Sequence, residues 1–234
     1  MRAERLADCI REKLGRVSGL RSLILYGSLV RGDFVPGTSD VDLFAVLEDG
    51  TDPESVLREI KPVLEECSAF LNPVEVDVAW EWFSNLRDPL NLGYPYKFLT
   101  IYQRDFVGNH LVILGEDVVD IIPRYSVDDI LPERLEGILR NLERFKGNGK
   151  MLHILAGETA RLIAFINGSG LDKWDVLRTL EDLGEGSALE VYRAYISGRK
   201  TPFDEEFLRG FVLSSVEKIR KGKWEFRTPP GRAP

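Results

Sequence analysis

Apolar residues at Leu6, Ile10, Leu14 and Val17 recur in steps of three and four among Arg, Glu, Asp and Lys, which predicts an amphipathic opening helix of about four turns, loosened near Gly15 and Gly19. The pattern then changes period. Leu23-Ile24-Leu25-Tyr26 is a short apolar run stopped by Gly27-Ser28. A polar loop with Gly32, Pro36 and Gly37 leads to Asp40-Val41-Asp42 and a second apolar run, Leu43-Phe44-Ala45-Val46. These are two strands joined by a turn and a loop. Asp52-Pro53 opens a second helix with Val56, Leu57, Ile60 and Leu64 on one side, and Pro62 is placed to kink or shorten it. Val74 to Trp80 alternates in the manner of a third strand, Asn91 to Pro95 reads as a loop, Tyr96 to Phe106 fits no single period, and Leu111 to Leu114, ended by Gly115, is a short last strand. Helices between strands imply a mixed sheet covered on one or both faces.

From Pro123 onward only helical spacing remains. Leu131, Leu135, Ile138, Leu142 and Phe145 step by four and three after a Ser126/Asp129 capping signal, and Gly147-Asn148-Gly149 breaks the run. Met151 to Ile166 is apolar nearly all round, the mark of a central bundle helix. Asp172 with Asp175, and Ser187 with Glu190, are read as caps of two further helices. Thr201 to Asp204 starts the last, with Phe207, Phe211, Ser215 and Ile219 inward. The fold class expected is α+β: a mixed β-sheet domain with flanking helices over residues 1–122, then an all-α helical bundle over 123–234, with a flexible tail from about 224.

Composition narrows what such a chain does. With 44% apolar residues both parts can hold cores, and the net charge of −7 argues against a broad nucleic-acid surface, which needs clustered Lys and Arg. No apolar stretch approaches the length of a membrane span and no leader pattern occurs, so the expected compartment is the cytoplasm. Cys9 and Cys67 lack the spacing of a metal knuckle or redox pair and are read as free thiols in a reducing environment. One Gln, seven Asn, two Cys and two Met beside 29% charged residues is a thermophile-like profile.

The acidic pair before the second apolar run carries the chemistry. Residues two apart on a strand face the same way, so the carboxylates of Asp40 and Asp42 are brought together and repel unless a divalent cation neutralises them. Hard oxygen ligands of this kind suit Mg²⁺ with substrate phosphates. Gly27 lets a phosphate approach the backbone, and Ser28 is placed to cap a short helix over Leu29-Val30-Arg31. Taken without the Gly-Ser turn, Asp-Val-Asp would be read as a solvated strand edge.

Gly27-Ser28, eleven intervening residues and Asp40-Val41-Asp42 together resemble the signature of the DNA polymerase β-type nucleotidyltransferase superfamily, and the chain as a whole resembles its small two-domain aminoglycoside and lincosamide members. That resemblance is specific over roughly residues 21–80. It implies transfer of a nucleoside monophosphate from an NTP, most simply ATP, to a hydroxyl of a small molecule or protein, with release of pyrophosphate and two Mg²⁺ ions as cofactors. Asp40 and Asp42 would be metal ligands. Asp77 would be the third carboxylate, preferred over Glu75, which shares its strand face. Gly27, Ser28, Arg31 and Ser39 would bind the nucleotide. The helical domain would supply the acceptor site. No Walker lysine loop is present.

Outside this motif, Glu158 and Arg161 interrupt the most apolar helix one turn apart; an internal ion pair is the plainer reading, and by resemblance Glu158 is also a candidate base for the acceptor hydroxyl. Lys173 is a candidate for the triphosphate. Trp80, Trp82 and Phe83 are read as core closure, with stacking on a base as the alternative. His110 and His153 are too few and scattered for a zinc site or a nucleophile and base pair. Two other function classes stay open: a non-catalytic nucleotide-binding module partnering a helical toxin-like protein, and an enzyme of RNA ends, which the acidic balance disfavours. The sequence also leaves a homodimer open.

Overall fold

The computed structural model describes residues 2–71, 75–92, 96–198 and 202–222. The chain divides into two compact units, one ending at Ser126 and the other beginning at Val127.

The first unit runs α1 (Arg2–Lys13), β1 (Leu20–Tyr26), α2 (Ser28–Arg31), β2 (Val41–Leu47), α3 (Pro53–Ser68), β3 (Val76–Trp82), α4 (Gln103–Gly108) and β4 (His110–Gly115), with short 3₁₀ turns between β3 and α4. Its four strands lie in the order β3-β2-β1-β4. β1 is antiparallel to both β2 and β4, whereas β2 and β3 are parallel through the α3 crossover, giving the mixed sheet expected.

Alternation along the strands sorts the core into two layers. Leu23, Leu25, Leu43, Ala45 and Leu47 face Leu6 and Ile10 of α1 and Val56, Ile60 and Leu64 of α3. Ile24, Phe44 and Val46 face the other way, toward Leu86, Leu99, Phe106, Val118 and Ile122. Full burial of a side chain such as Ile10 stabilises by about 2 kcal/mol, so the two helices are held mainly by these contacts.

Several local expectations are corrected. α1 ends at Lys13, although Leu14 and Val17 remain buried. α3 continues through Pro62 to Ser68. The third strand is Val76–Trp82 rather than Val74 to Trp80, and Val74 itself lies outside the described residues, as do Gly93 to Pro95 of the expected loop. The largest correction concerns the cysteines. Cys9 on α1 and Cys67 on α3 are joined in a disulfide with Cα atoms 5.7 Å apart. They are 58 residues apart in sequence, so no spacing rule relates them; two helices packed on one sheet face bring them together.

The second unit contains α5 (Val127–Arg144), α6 (Gly149–Ile166), α7 (Lys173–Asp182), α8 (Gly186–Ile196) and α9 (Glu205–Arg220). α6 is the buried centre, as its all-round apolar pattern requires, and it packs against each of the other four. Caps set several starts: the side chains of Asn148, Asp172 and Asp204 accept backbone N–H bonds at the heads of α6, α7 and α9. α8 begins one residue before Ser187, after Glu185, so Ser187 with Glu190 is not its cap. Phe207 is 39% exposed and stacks on Phe203 at 4.6 Å, while Leu208, Val212 and Val216 take the inner face with Phe211, Ser215 and Ile219. The expected tail from residue 224 lies outside the described residues.

Candidate active site

Strand register builds the site. Tyr26 on β1 is paired with Asp42 on β2, and Asp42 is paired with Asp77 on β3. On the other side Tyr26 is paired with His110 on β4. Directly paired residues point to the same face, so His110, Tyr26, Asp42 and Asp77 form a row across all four strands. Asp40 and Glu75 lie two residues before Asp42 and Asp77, one step nearer the same sheet end, and the Val41 N–H donates to the Glu75 carbonyl at 2.9 Å, extending the parallel pairing to that step. Asp40, Glu75 and Asp77 are exposed and Asp42 is half-buried.

β1 delivers its C-terminal turn to this end because it runs against β2. Gly27 adopts φ 76° and ψ −153°, a conformation other residues rarely reach. It also lies against Asp42: a Cβ built there would stand 2.9 Å from Asp42 Cγ and closer still to Oδ2. The glycine is thus required twice, by its backbone angles and by the carboxylate packed on it. Gly27, not Ser28, occupies the cap position of α2, which corrects the expected capping; Ser28 is the first helical residue and is buried.

Arg31 closes the turn. Its Nε lies 3.2 Å from Asp33 Oδ1 and its Nη1 2.7 Å from Asp105 Oδ2, with the Arg31 and Asp105 side chains only 12% and 13% exposed. Burial pushes the Asp105 carboxyl above its ordinary pKa, with Arg31 pulling it down. Arg31 therefore sits within an ion-paired brace joining α2, its following loop and α4. Asp33 and Asp105 were not singled out from the sequence, although Arg31-Gly32-Asp33 offered a local signal for the first. Ser39 closes the preceding loop, its hydroxyl accepting from the Val35 N–H at 3.0 Å and its own N–H donating to the Val35 carbonyl at 2.9 Å.

Aromatic side chains occupy the same sheet face just behind the acids. The Tyr26 ring lies 4.4 Å from Phe98 and 5.5 Å from Phe106, and Phe44 and Tyr96 join the cluster through Phe98. Burial pushes the Tyr26 phenol upward from its ordinary pKa, and the charges of Asp42 and Asp77 add to the shift. Tyr96 is shifted upward by burial and by Glu81, with a further contribution from Asp77; its hydroxyl donates to the Trp80 carbonyl at 2.7 Å. Trp80 and Trp82 point to the opposite face, against the α1 and α3 layer, and Trp82 donates to the Thr51 carbonyl. They are packing residues, as the plainer reading held.

Among the described residues no group of three or more His, Cys, Asp or Glu side chains is gathered closely enough to hold a metal ion unaided. The donor set nevertheless fits Mg²⁺. That ion prefers oxygen ligands and is commonly held by one or two carboxylates together with substrate phosphates, and register sets Asp42 directly beside Asp77.

The remaining candidates lie in the helical unit. Glu158 is 5% exposed; it accepts from the Tyr195 hydroxyl at 3.1 Å, pairs with Arg161 at 3.1 Å and has Arg134 at 4.0 Å. Gly157 makes this possible, since a Cβ there would stand 2.6 Å from Tyr195 Cδ2 and closer still to Cγ. Lys173 is buried at the first position of α7. His153 is nine-tenths buried, and burial pushes its pKa down against the opposing effect of the nearby Ala194 backbone.

The family model described as a nucleotidyltransferase domain matches residues 3–104, which span α1 through β3 and the row of acids. Among solved structures the chain is similar to spectinomycin adenyltransferase AAD(9) from Enterococcus faecialis, determined with ATP and spectinomycin. The TM-score is 0.62 at 14% sequence identity, covering 94% of this chain and 98% of that one. No curated protein matches the sequence.

Proposed function

We propose, from the match of residues 3–104 to the nucleotidyltransferase domain model, that the chain moves a nucleoside monophosphate from an NTP, with ATP the first choice, to a hydroxyl of a small molecule or protein and releases pyrophosphate. The observation that carries this reading is the direct pairing of Asp42 with Asp77 beside a turn whose Gly27 packs on the Asp42 carboxylate.

Asp40, Asp42 and Asp77 are the residues that would hold Mg²⁺, two ions by resemblance, with Glu75 the alternative to Asp77. Bound there, the metal would supply neutralisation of the triphosphate and stabilisation of the attacking and leaving oxygens. The chain's own groups do the positioning. Gly27 has no side chain to keep a phosphate from the backbone, and Ser28 and Ser39 offer hydroxyls on either side of the loop leading to Asp40. Arg31, tied to Asp33 and Asp105, holds α2 and thereby the turn; a contact of its remaining guanidinium edge with phosphate fits the same placement. The acceptor-recognising residues are assigned to the helical unit, while Lys173, buried at the head of α7, is given no role in this reading. Within that unit Glu158 is a structural residue rather than the general base, because a carboxylate tied to Tyr195 and Arg161 is committed to the bundle.

Spectinomycin, named with the structural neighbour, and other hydroxyl-bearing antibiotics are the first acceptors to try. Among the described residues no helix is long and apolar enough to cross a membrane. A cytoplasmic setting is compatible with the Cys9–Cys67 bond in a thermophile, where intracellular disulfides are common, and the low Gln, Cys and Met content points the same way. The test is release of pyrophosphate from MgATP in the presence of an acceptor panel. Acceptor-dependent release lost on Asp42→Asn supports the reading. MgATP binding without release from any acceptor class would instead favour a non-catalytic nucleotide-binding module.

A further inference from the structure

Tyr26 and His110 are the members of the four-strand row that the proposed chemistry does not use, and His110 is engaged with the Val107 carbonyl and Asp117. Tyr26 is the last residue of β1, next in sequence to Gly27-Ser28 and next in register to Asp42, so its side chain stands on the acid-bearing face beside the turn. Its ring is packed by Phe98 at 4.4 Å and, edge on, by Phe106 at 5.5 Å, both from the layer covering this sheet face. Yet its hydroxyl has no hydrogen-bond partner among the described residues. Other half-buried tyrosines behave differently: Tyr96 donates to the Trp80 carbonyl and Tyr195 to Glu158. The Tyr26 phenol spends no hydrogen bond on either neighbouring carboxylate, although both are anionic acceptors in adjoining register. The hydroxyl is not a buried orphan: it opens to solvent beside the acids, where a bound ligand would take the place of water.

We propose that Tyr26 is a nucleotide-contacting residue whose hydroxyl donates a hydrogen bond to a phosphate oxygen of the bound triphosphate. This rests on the reading of the site given above and adds to it a neutral side-chain donor, supplied by the strand before the turn. Phenylalanine would fill the same space against Phe98 and Phe106, so the ring alone accounts for the packing and the hydroxyl is left for the ligand. Phosphate is the class of partner because the turn that follows brings phosphate to this end of β1. A phenol, protonated at neutral pH, can donate to an anionic oxygen without adding charge to the acids.

The experiment compares wild type, Tyr26→Phe and Asp42→Asn, each as the full chain, for binding of MgATP and of magnesium tripolyphosphate by calorimetry and thermal shift. Tyr26→Phe should melt like wild type without ligand and bind both ligands roughly ten- to hundredfold more weakly, the range of a hydrogen bond to a charged group. Equal affinities of Tyr26→Phe and wild type overturn the contact. Weakening for MgATP with tripolyphosphate unchanged overturns it too, because the hydroxyl would then meet the nucleoside. Failure of wild type to bind MgATP, or undiminished binding by Asp42→Asn, overturns the reading of the site itself and this contact with it.

Discussion

Replacing Gly27 by Ala separates the two demands placed on that position. The first is conformational: a residue with a Cβ held at φ 76° and ψ −153° costs on the order of 1–3 kcal/mol. The second is steric. The new methyl would stand 2.9 Å from Asp42 Cγ and 3.2 Å from its Cβ, so the carboxylate must swing out of its rotamer at about 0.5–1.5 kcal/mol. Alanine also restricts the unfolded chain, which offsets about 0.4–1 kcal/mol. The net expectation for Gly27→Ala is a loss of about 2–3 kcal/mol in urea unfolding of the full chain, with MgATP-dependent stabilisation abolished because Asp42 has been displaced. Combining it with Asp42→Ala closes a double-mutant cycle. Removing the carboxylate should restore roughly 1 kcal/mol of the steric part while leaving the conformational part and the loss of nucleotide binding. Gly27→Ala within 0.5 kcal/mol of wild type, or additivity of the two substitutions, would refute the reasoning that the glycine exists for the carboxylate as well as for the turn.

Two further perturbations probe the rest of the molecule. Opening the Cys9–Cys67 bond, by reductant or by the double serine variant, should lower stability by about 4 kcal/mol at most, the chain-entropy value for a closed loop of 58 residues; coincident urea transitions for oxidised and reduced protein would show that the bond contributes nothing. Glu158→Gln should cost roughly 2–3 kcal/mol, since Arg161 and Arg134 lose their buried counter-charge while the Tyr195 hydroxyl keeps an acceptor, and turnover below the melting range should stay within about tenfold of wild type. A fall of roughly a hundredfold or more with stability intact would make Glu158 a catalytic base instead.

What could be read from the sequence was local. The turn at Gly27 and the acids at 40, 42, 75 and 77 follow from punctuation and a period of two, and the bundle helices from steps of three and four. Core closure by Trp80 and Trp82 was legible but with base stacking left open; the structure removes that alternative, since both have the opposite parity to Asp77 on one strand and pack on the other face. What escaped needed tertiary knowledge. Cys9 meets Cys67 only because α1 and α3 share a sheet face. Asp105 reaches Arg31 from a stretch, residues 96–106, whose pattern fitted neither helix nor strand and which folds as a 3₁₀ turn and the start of a short helix. Tyr26 joined the row only when the strand order β3-β2-β1-β4 was known, since nothing in a sequence says which strands are neighbours. The start of α8 and the exposure of Phe207 were missed because capping and facing within a bundle depend on the neighbouring helices more than on propensity.

The central claim, that Asp40, Asp42 and Asp77 form a metal-dependent nucleotide site, is tested most directly by thermal shift with and without MgATP on wild type and on the Asn variant of each. Three carboxylates at one sheet end repel one another without cation, so each variant should melt at or slightly above the wild-type temperature in its absence. MgATP should stabilise wild type and leave Asp40→Asn, Asp42→Asn and Asp77→Asn unmoved. The account is contradicted if MgATP fails to shift wild type, or if it shifts all three variants as far as wild type, the behaviour of a solvated strand edge. Loss of the shift in Glu75→Gln with Asp77→Asn responding normally would keep the site and transfer the third role to Glu75.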